Sequence, residues 1–448
     1  MSPDLDVVVV GAGPAGLSLA HRLAGTGLAV RVLEANDHVG GRMACFRHDG
    51  YTVDTGAEQV PTYGYEHTWR LLRELDVPLA DVPTVRGMLA VWRDGRAHPG
   101  LAHPLGLLTG AGLSVRGRLD LLRLQARIAR RARAFDPDRP EDTPLGMGTV
   151  ADLAAHHHPD VGDFLLEPVV SGFFGWDPAR SAAAPFVSLM RAAGPASTWR
   201  TYADGMDTLA RRLAERVDVR TGVPVDEVVA GTDSALVHTG EGTLTARAAV
   251  LCVPAPVAAR LYANAPADER EFLSASTFTP MLKVSCLLDR PLSPPSARPV
   301  YALLVPARER GRDGVLSGII VDHVKNPARV PPGRGLLTLL AAPSAMPDLL
   351  TAPDDEVVRA MTADAEPFVP GLAAATVANF VHRFPHGLPE ATPAALRSRR
   401  GFLARASRPV DYAGDWIMAR PSSEGAIRAA ATTAARVTHL CATRKEPV

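Results

Sequence analysis

Residues 6–34, DVVVVGAGPAGLSLAHRLAGTGLAVRVLE, constrain the fold more than any other stretch of this chain. DVVVV reads as a strand buried on both faces, because nothing polar interrupts its apolar run. Gly11, Gly13 and Gly16 follow as G-x-G-x-x-G, then a helix ending in glycine, then a second strand that closes on Glu34. The first glycine permits the tight turn, the second lets a pyrophosphate approach the backbone, and the third lets helix pack on strand. The helix start offers free N–H groups and a positive dipole end to phosphate. Glu34 can accept hydrogen bonds from ribose hydroxyls and would repel a 2′-phosphate, which argues against NADP. Together these residues read as a dinucleotide-binding βαβ unit.

At 448 residues the chain is too long for one small core, so two domains or one large composite is expected. Its formal charge of zero gives no global field toward nucleic acid. Cys45, Cys252, Cys286 and Cys441 form no CxxC pair, so neither a zinc site nor a disulfide framework is expected, and a reducing cytoplasm fits. No signal peptide is read at the start, and no run of about 18 apolar residues could span a membrane. Residues 65–200 look mostly helical with proline-rich breaks. Within them, 113–135 carry seven arginines and one aspartate around an apolar stripe. That pattern reads as a solvated helix face, with a membrane-surface helix as the alternative. The run HHH at 156–158 reads as surface, since consecutive helical residues do not converge on one metal ion; no metal site is expected. From 205 the α/β pattern returns, strands dominate 280–345, a helical stretch covers about 354–373, and VDYAGDW leads into a small-residue helix.

A second glycine pair, Gly40-Gly41, with Arg42 lies just beyond Glu34, and Gly414-Asp415 follows a short strand near the other end. These suit a ligand longer than an adenosine half, with an acid placed for a ribityl hydroxyl. The segments VVVVGAGPAGLSLAHRLAGTGLAVRVLEANDHVGGRM and YAGDWIMARPSSEGAIRAAATTAARV resemble the two ends of the flavin-containing amine oxidase superfamily, with its amine oxidases, protoporphyrinogen oxidases and phytoene desaturases. LEPVVSGFFGWDPARSAAA is similar to a protoporphyrinogen oxidase segment, and GMDTLARRLAERVDVRTGVPVDEV to the superfamily's second FAD-contacting segment. The resemblance implies an α/β fold: a Rossmann-like FAD-binding domain from residues 1–75, 203–270 and 395–448, and an inserted α+β substrate-binding domain from 76–202 and 271–394. It implies noncovalent FAD, with backbone at Val225 on the adenine and Arg42, Ala57 and Asp415 along the cofactor. The candidate FAD contacts are Gly11, Ala12, Gly13, Pro14, Ala15, Gly16, Glu34, Ala35, Gly41, Arg42, Gly56, Ala57, Glu58, Val225, Val253, Gly414, Asp415, Glu424 and Ala426.

Among 48 basic residues only Lys283, Lys325 and Lys445 are lysines. Lys283 sits inside the apolar strand TPMLKVSCLL, which matches the superfamily strand whose lysine reaches the flavin N5 through a water. Period-two alternation puts Lys283, Ser285 and Leu287 on one face and Leu282, Val284 and Cys286 on the other. Burial would lower the lysine's pKa and suit it to proton or O₂ handling; Lys283 is the catalytic candidate. Amine oxidases of this kind carry an aromatic wall just before E-G-A, where this chain has Ser422 and Ser423. HRFPHGLPEATP resembles the desaturase and protoporphyrinogen oxidase side instead. Phe173, Phe174, Trp176, Trp199 and Tyr202 read as core more than as pocket wall. The expectation is an FAD-dependent oxidoreductase removing a hydride from a mainly apolar, natural-product or isoprenoid-like molecule, with O₂ or another acceptor as reoxidant. The alternatives are an amine or amide oxidase and a non-redox flavin-dependent isomerase or cyclase.

Overall fold

The apolar runs become two seven-stranded sheets. The computed structural model describes residues 3–103 and 106–443, so Lys445 lies outside the described residues. The strands are β1 (Leu5–Val10), β2 (Val30–Leu33), β3 (Cys45–His48), β4 (Tyr51–Asp54), β5 (Met88–Arg93), β6 (Arg96–Pro99), β7 (Asp218–Arg220) and β8 (Val225–Ala230). They continue with β9 (Ala235–Thr239), β10 (Gly242–Leu251), β11 (Phe278–Leu288), β12 (Val300–Leu304), β13 (Leu316–Val321), β14 (Gly335–Ala341), β15 (Thr376–Pro389) and β16 (Val410–Tyr412).

The first sheet runs β7-β2-β1-β10-β9-β8, with β16 also paired to β10. β1 pairs in parallel with β2 and β10, and Val7, Val8 and Val9 are fully buried, as strands covered on both faces require. The helix Pro14–Ala24 packs against the C-terminal helix Ser423–Thr443 over this sheet. Small residues at Ala426, Ala429 and Ala430 allow the close approach.

The second sheet runs β15-β11-β14-β13-β12-β5-β6. Its alternation separates two cores. Leu282, Val284 and Cys286 of β11 pack with Val357 and Met361 of the helix Asp354–Ala365, whereas Leu287 faces Tyr51 and Val53. Lys283 lies opposite Leu340 of β14 and His382 of β15.

One region departs from the sequence reading, and one strand was not read there. Residues 65–200 are not uniformly helical: β5 and β6 join β12 at one end of the second sheet. Asp94 and Gly95, both with positive φ, make the two-residue turn between them, an Asp-Gly hairpin signal hidden in a proline-rich stretch. HRFPHGLP is part of the long strand β15, which tolerates Pro385 and Pro389 because it is the sheet's edge.

Candidate active site

A cleft of ≈ 1510 Å³, open mouth included, is lined by Pro14, Arg42, Gly56, Asp415 and Ser422 together with the strand residues Met281, Lys283 and Leu340. Behind it the glycine turn is tightly specified. Gly11 has φ +103°, and a Cβ on Gly16 would sit 1.9 Å from Gly11 O, so the helix can reach the strand only without side chains there. A Cβ on Gly13 would meet no protein atom within 4 Å. That glycine faces open space, as a backbone approached by a ligand must. Val253 closes the turn from below, its Cγ1 lying 3.3 Å from the Cβ position of Gly11. Glu34 Oε2 accepts from Ala12 N at 2.7 Å, and Oε1 accepts from Asn36 N and Nδ2 at 3.0 and 2.6 Å. With about four lone-pair directions on a carboxylate, one acceptor direction remains for a ribose hydroxyl. Val223 N donates to Glu34 O at 2.8 Å, which brings the start of β8, and so Val225, beside Glu34 and Ala35.

Gly41 stacks on the turn, with its Cβ position 3.6 Å from Gly13 Cα. A Cβ on Gly56 would lie 2.1 Å from Arg42 O, and Ala57 N donates to that same carbonyl at 2.8 Å. Arg42 forks onto Asp415 at 2.8 and 2.9 Å, joining two residues 373 positions apart. Gly414 admits the indole of Trp416, whose Nε1 lies 2.5 Å from where a Cβ would stand. Open space at Gly13, a ribose-capable acid at Glu34 and a cleft lined by Pro14, Arg42, Ala57, Asp415 and Ala426 fit a dinucleotide cofactor lying from β2 to the C-terminal helix.

Lys283 is 3 % exposed, and its ammonium is paired within the protein. Its Nζ donates to Glu58 Oε1 at 2.6 Å and to Gly56 O. Glu58, expected only as a cofactor contact, is gripped from its other oxygen by Lys325. Lys325 also pairs with Asp322 at 2.7 Å and Asp54 at 3.5 Å, and Arg329 pairs with Asp54 at 2.7 Å. Carboxylate oxygens of Asp54, Glu58 and Asp322 lie within 4.8 Å of one another, a spacing that could hold a metal ion, but the Lys325 ammonium already sits among them. Burial alone would discharge Lys325; Asp322, Glu58 and Asp54 outweigh it and hold the amine well above its ordinary pKa. Burial likewise opposes ionisation of Asp54, and Arg329 and Lys325 override it and lower its pKa. Three cations and three anions balance. Beside them His382 is pushed down to about 4, first by burial and then by the Lys283 charge.

The sequence reading missed Lys325 as a site residue although a signal was present: it is one of only three lysines in the chain. Other residues lie elsewhere. Glu424 does not turn its carboxylate to the cleft. It accepts from His67 N, Thr68 N and Thr68 Oγ1 and pairs with Arg428, so it caps the helix Glu66–Glu74. Its neighbours Ser422, Ser423 and Ala426 do line the cleft. Phe173, Phe174 and Trp199 are pocket wall, whereas Trp176 and Tyr202 are buried core. The histidine run is not plain surface: His157 is docked on Asp120 at 2.9 Å with its side chain 1 % exposed, and His158 Nδ1 accepts from Asp160 N.

The family of flavin-containing amine oxidoreductases matches residues 14–438. The chain belongs to that family. Its cofactor is FAD, and the family's members are oxidoreductases. Curated relatives match over 51 to 56 residues only, 6 to 11 % of their own length. One, the 4,4′-diapophytoene desaturase (4,4′-diaponeurosporene-forming) of Staphylococcus haemolyticus, is 50 % identical over 52 residues, 12 % of this chain and 10 % of that protein. Among solved structures, cyclohexylamine oxidase from Brevibacterium oxydans superposes with TM-score 0.77 at 18 % identity, covering 99 % of this chain and 100 % of that one. The CLA-producing fatty acid isomerase from P. acnes gives 0.73 at 20 % identity, with 97 % and 99 % covered. At these identities the two structures share the fold with this chain.

Proposed function

We propose that the protein is an FAD-dependent oxidoreductase that dehydrogenates a neutral, mainly apolar small molecule, with O₂ as reoxidant. One observation carries the reading: among the described residues, the two carboxylates that line the cleft, Glu58 and Asp415, are already paired with cations, Glu58 with Lys283 and Lys325, Asp415 with Arg42. A substrate ammonium would find no free acid and would lose its hydration without replacement, which is costly in an apolar site. Phe173, Phe174, Met190, Trp199 and Leu388 suit an alkyl or polyene chain instead. The same observation weighs against an amine oxidase, as does Ser422 in place of an aromatic wall.

In this reading the turn Gly11–Gly16, through Ala12, Gly13, Pro14 and Ala15, receives the pyrophosphate. Glu34, Ala35 and Val225 hold the adenosine half, while Gly41, Arg42, Ala57, Gly414, Asp415 and Ala426 hold the remainder. Bound FAD supplies the redox chemistry by accepting a hydride from the substrate. The chain orients the substrate, excludes water and handles the proton lost from the neighbouring atom when a double bond forms. Lys283 spends two of its three N–H donors on Glu58 and Gly56, leaving one for a cleft water. Mixing the FAD-loaded protein anaerobically with neutral alkenes and polyenes, and separately with primary amines, tests this. Flavin bleaching by a neutral compound, followed by H₂O₂ on admitting air, is the expected result. Bleaching by amines alone would refute it.

A further inference from the structure

The helix Val115–Arg130 is amphipathic on two sides. Leu124 is buried, and Leu121 and Ile128 pack on the core formed by Phe135, Val161 and Phe164. Packing that face to the protein should leave the opposite face polar, and it does not. At about 100° per residue, Val115, Leu119, Leu122 and Ala126 share an arc of about 60° on the solvent side. Val115, Leu119 and Leu122 are 62 %, 50 % and 44 % exposed. Leu108, 76 % exposed, adjoins this stripe, because its carbonyl accepts from Arg118 Nη1 at 3.1 Å. The next arc holds Arg116, Arg123, Arg127 and Arg130, all exposed. The one acid of the helix, Asp120, is turned into the body by His157 and the His158 N–H, so it does not offset the arginines outward. Single exposed leucines need no explanation; a contiguous row bordered by guanidinium groups does.

We propose that this helix docks the protein on an anionic lipid bilayer, with Leu108, Val115, Leu119 and Leu122 entering the headgroup boundary and the arginine row lying along the phosphates. The charge pattern selects this occupant: an apolar stripe alone would suit a second copy of the chain, whereas parallel apolar and basic rows match an acyl boundary beside an anionic headgroup layer. The inference is independent of the proposed substrate.

Co-sedimentation of the full FAD-loaded chain with vesicles of phosphatidylcholine, with and without phosphatidylglycerol, tests it. Binding is expected to the anionic vesicles, weakened by high salt. Arg123→Gln with Arg127→Gln should lower partitioning about 30-fold at low salt, from about fivefold per arginine. Leu119→Gln with Leu122→Gln should lower it at least about tenfold. These are surface positions, so both double variants should retain FAD and melt close to the parent. Equal binding to neutral vesicles, no binding to either, or unchanged binding by both variants would overturn the proposal. So would self-association abolished by the leucine pair without vesicle binding, or salt-sensitive binding to polyglutamate alone.

Discussion

Lys283 stands out in the sequence because it interrupts an apolar strand in a chain that otherwise uses arginine. Its strand and face are legible from period two; its partner is not, because Glu58 lies 225 residues away in an irregular segment. Lysine suits the place because its compact ammonium on a flexible stem reaches one oxygen of Glu58 and the Gly56 carbonyl together. Lys283→Met matches the stem's volume, so FAD content should stay near wild type, while one half-reaction slows about tenfold to a thousandfold. Stopped-flow separates slower reduction by substrate from slower reoxidation by O₂; wild-type rates in both would leave Lys283 without a role in turnover. His382 gives a pH test. Its pKa falls to about 4 in the folded protein, so between pH 6.5 and 4 the unfolded chain binds more protons than the native one. Stability contributed above pH 6.5 is therefore lost as pH falls through that window, by on the order of 2–3 kcal/mol. Urea unfolding at pH 7 and pH 4.5 should show a smaller drop for His382→Gln than for wild type.

At the scale of elements, the βαβ start, the strand-rich 280–345 region and the C-terminal helix could all be read, because buried strands and small-residue helices leave strong periodic signals. β5, β6 and the length of β15 could not, since prolines dilute the β signal and edge strands tolerate them. Glu424 shows a related limit. Its position before Gly425-Ala426 suggested a cofactor contact, yet the fold spends the carboxylate on the first N–H groups of the helix Glu66–Glu74. Such a cap ties the C-terminal helix to N–H groups 356 and 357 positions upstream, which no local pattern announces. Glu424→Gln should lower stability by about 1–2 kcal/mol while leaving FAD affinity within about threefold, measured by denaturant unfolding and by FAD titration of the apoprotein. A selective loss of FAD would return Glu424 to the cofactor site.

Across the whole molecule, the charge network fastens the N-terminal segment carrying Asp54 and Glu58 to the second-sheet region carrying Asp322, Lys325 and Arg329. Breaking a buried network on one side leaves charges without partners, so Lys325→Met should cost about 3–5 kcal/mol in urea unfolding, and adding Asp322→Asn should recover part of that. Full stability in the single variant would mean that water enters the network freely. The central claim, that this internal neutralisation leaves a cleft for a neutral ligand, is tested most directly by equilibrium binding. Two ligands of equal length and shape, one alkyl-terminated and one ending in a primary ammonium, are titrated into the FAD-loaded protein and followed by the perturbation of the flavin spectrum. The neutral ligand should bind at least about tenfold more tightly, a difference of about 1.4 kcal/mol. Tighter binding of the ammonium would show that Glu58 or Asp415 remains available to a cation, and would contradict the account.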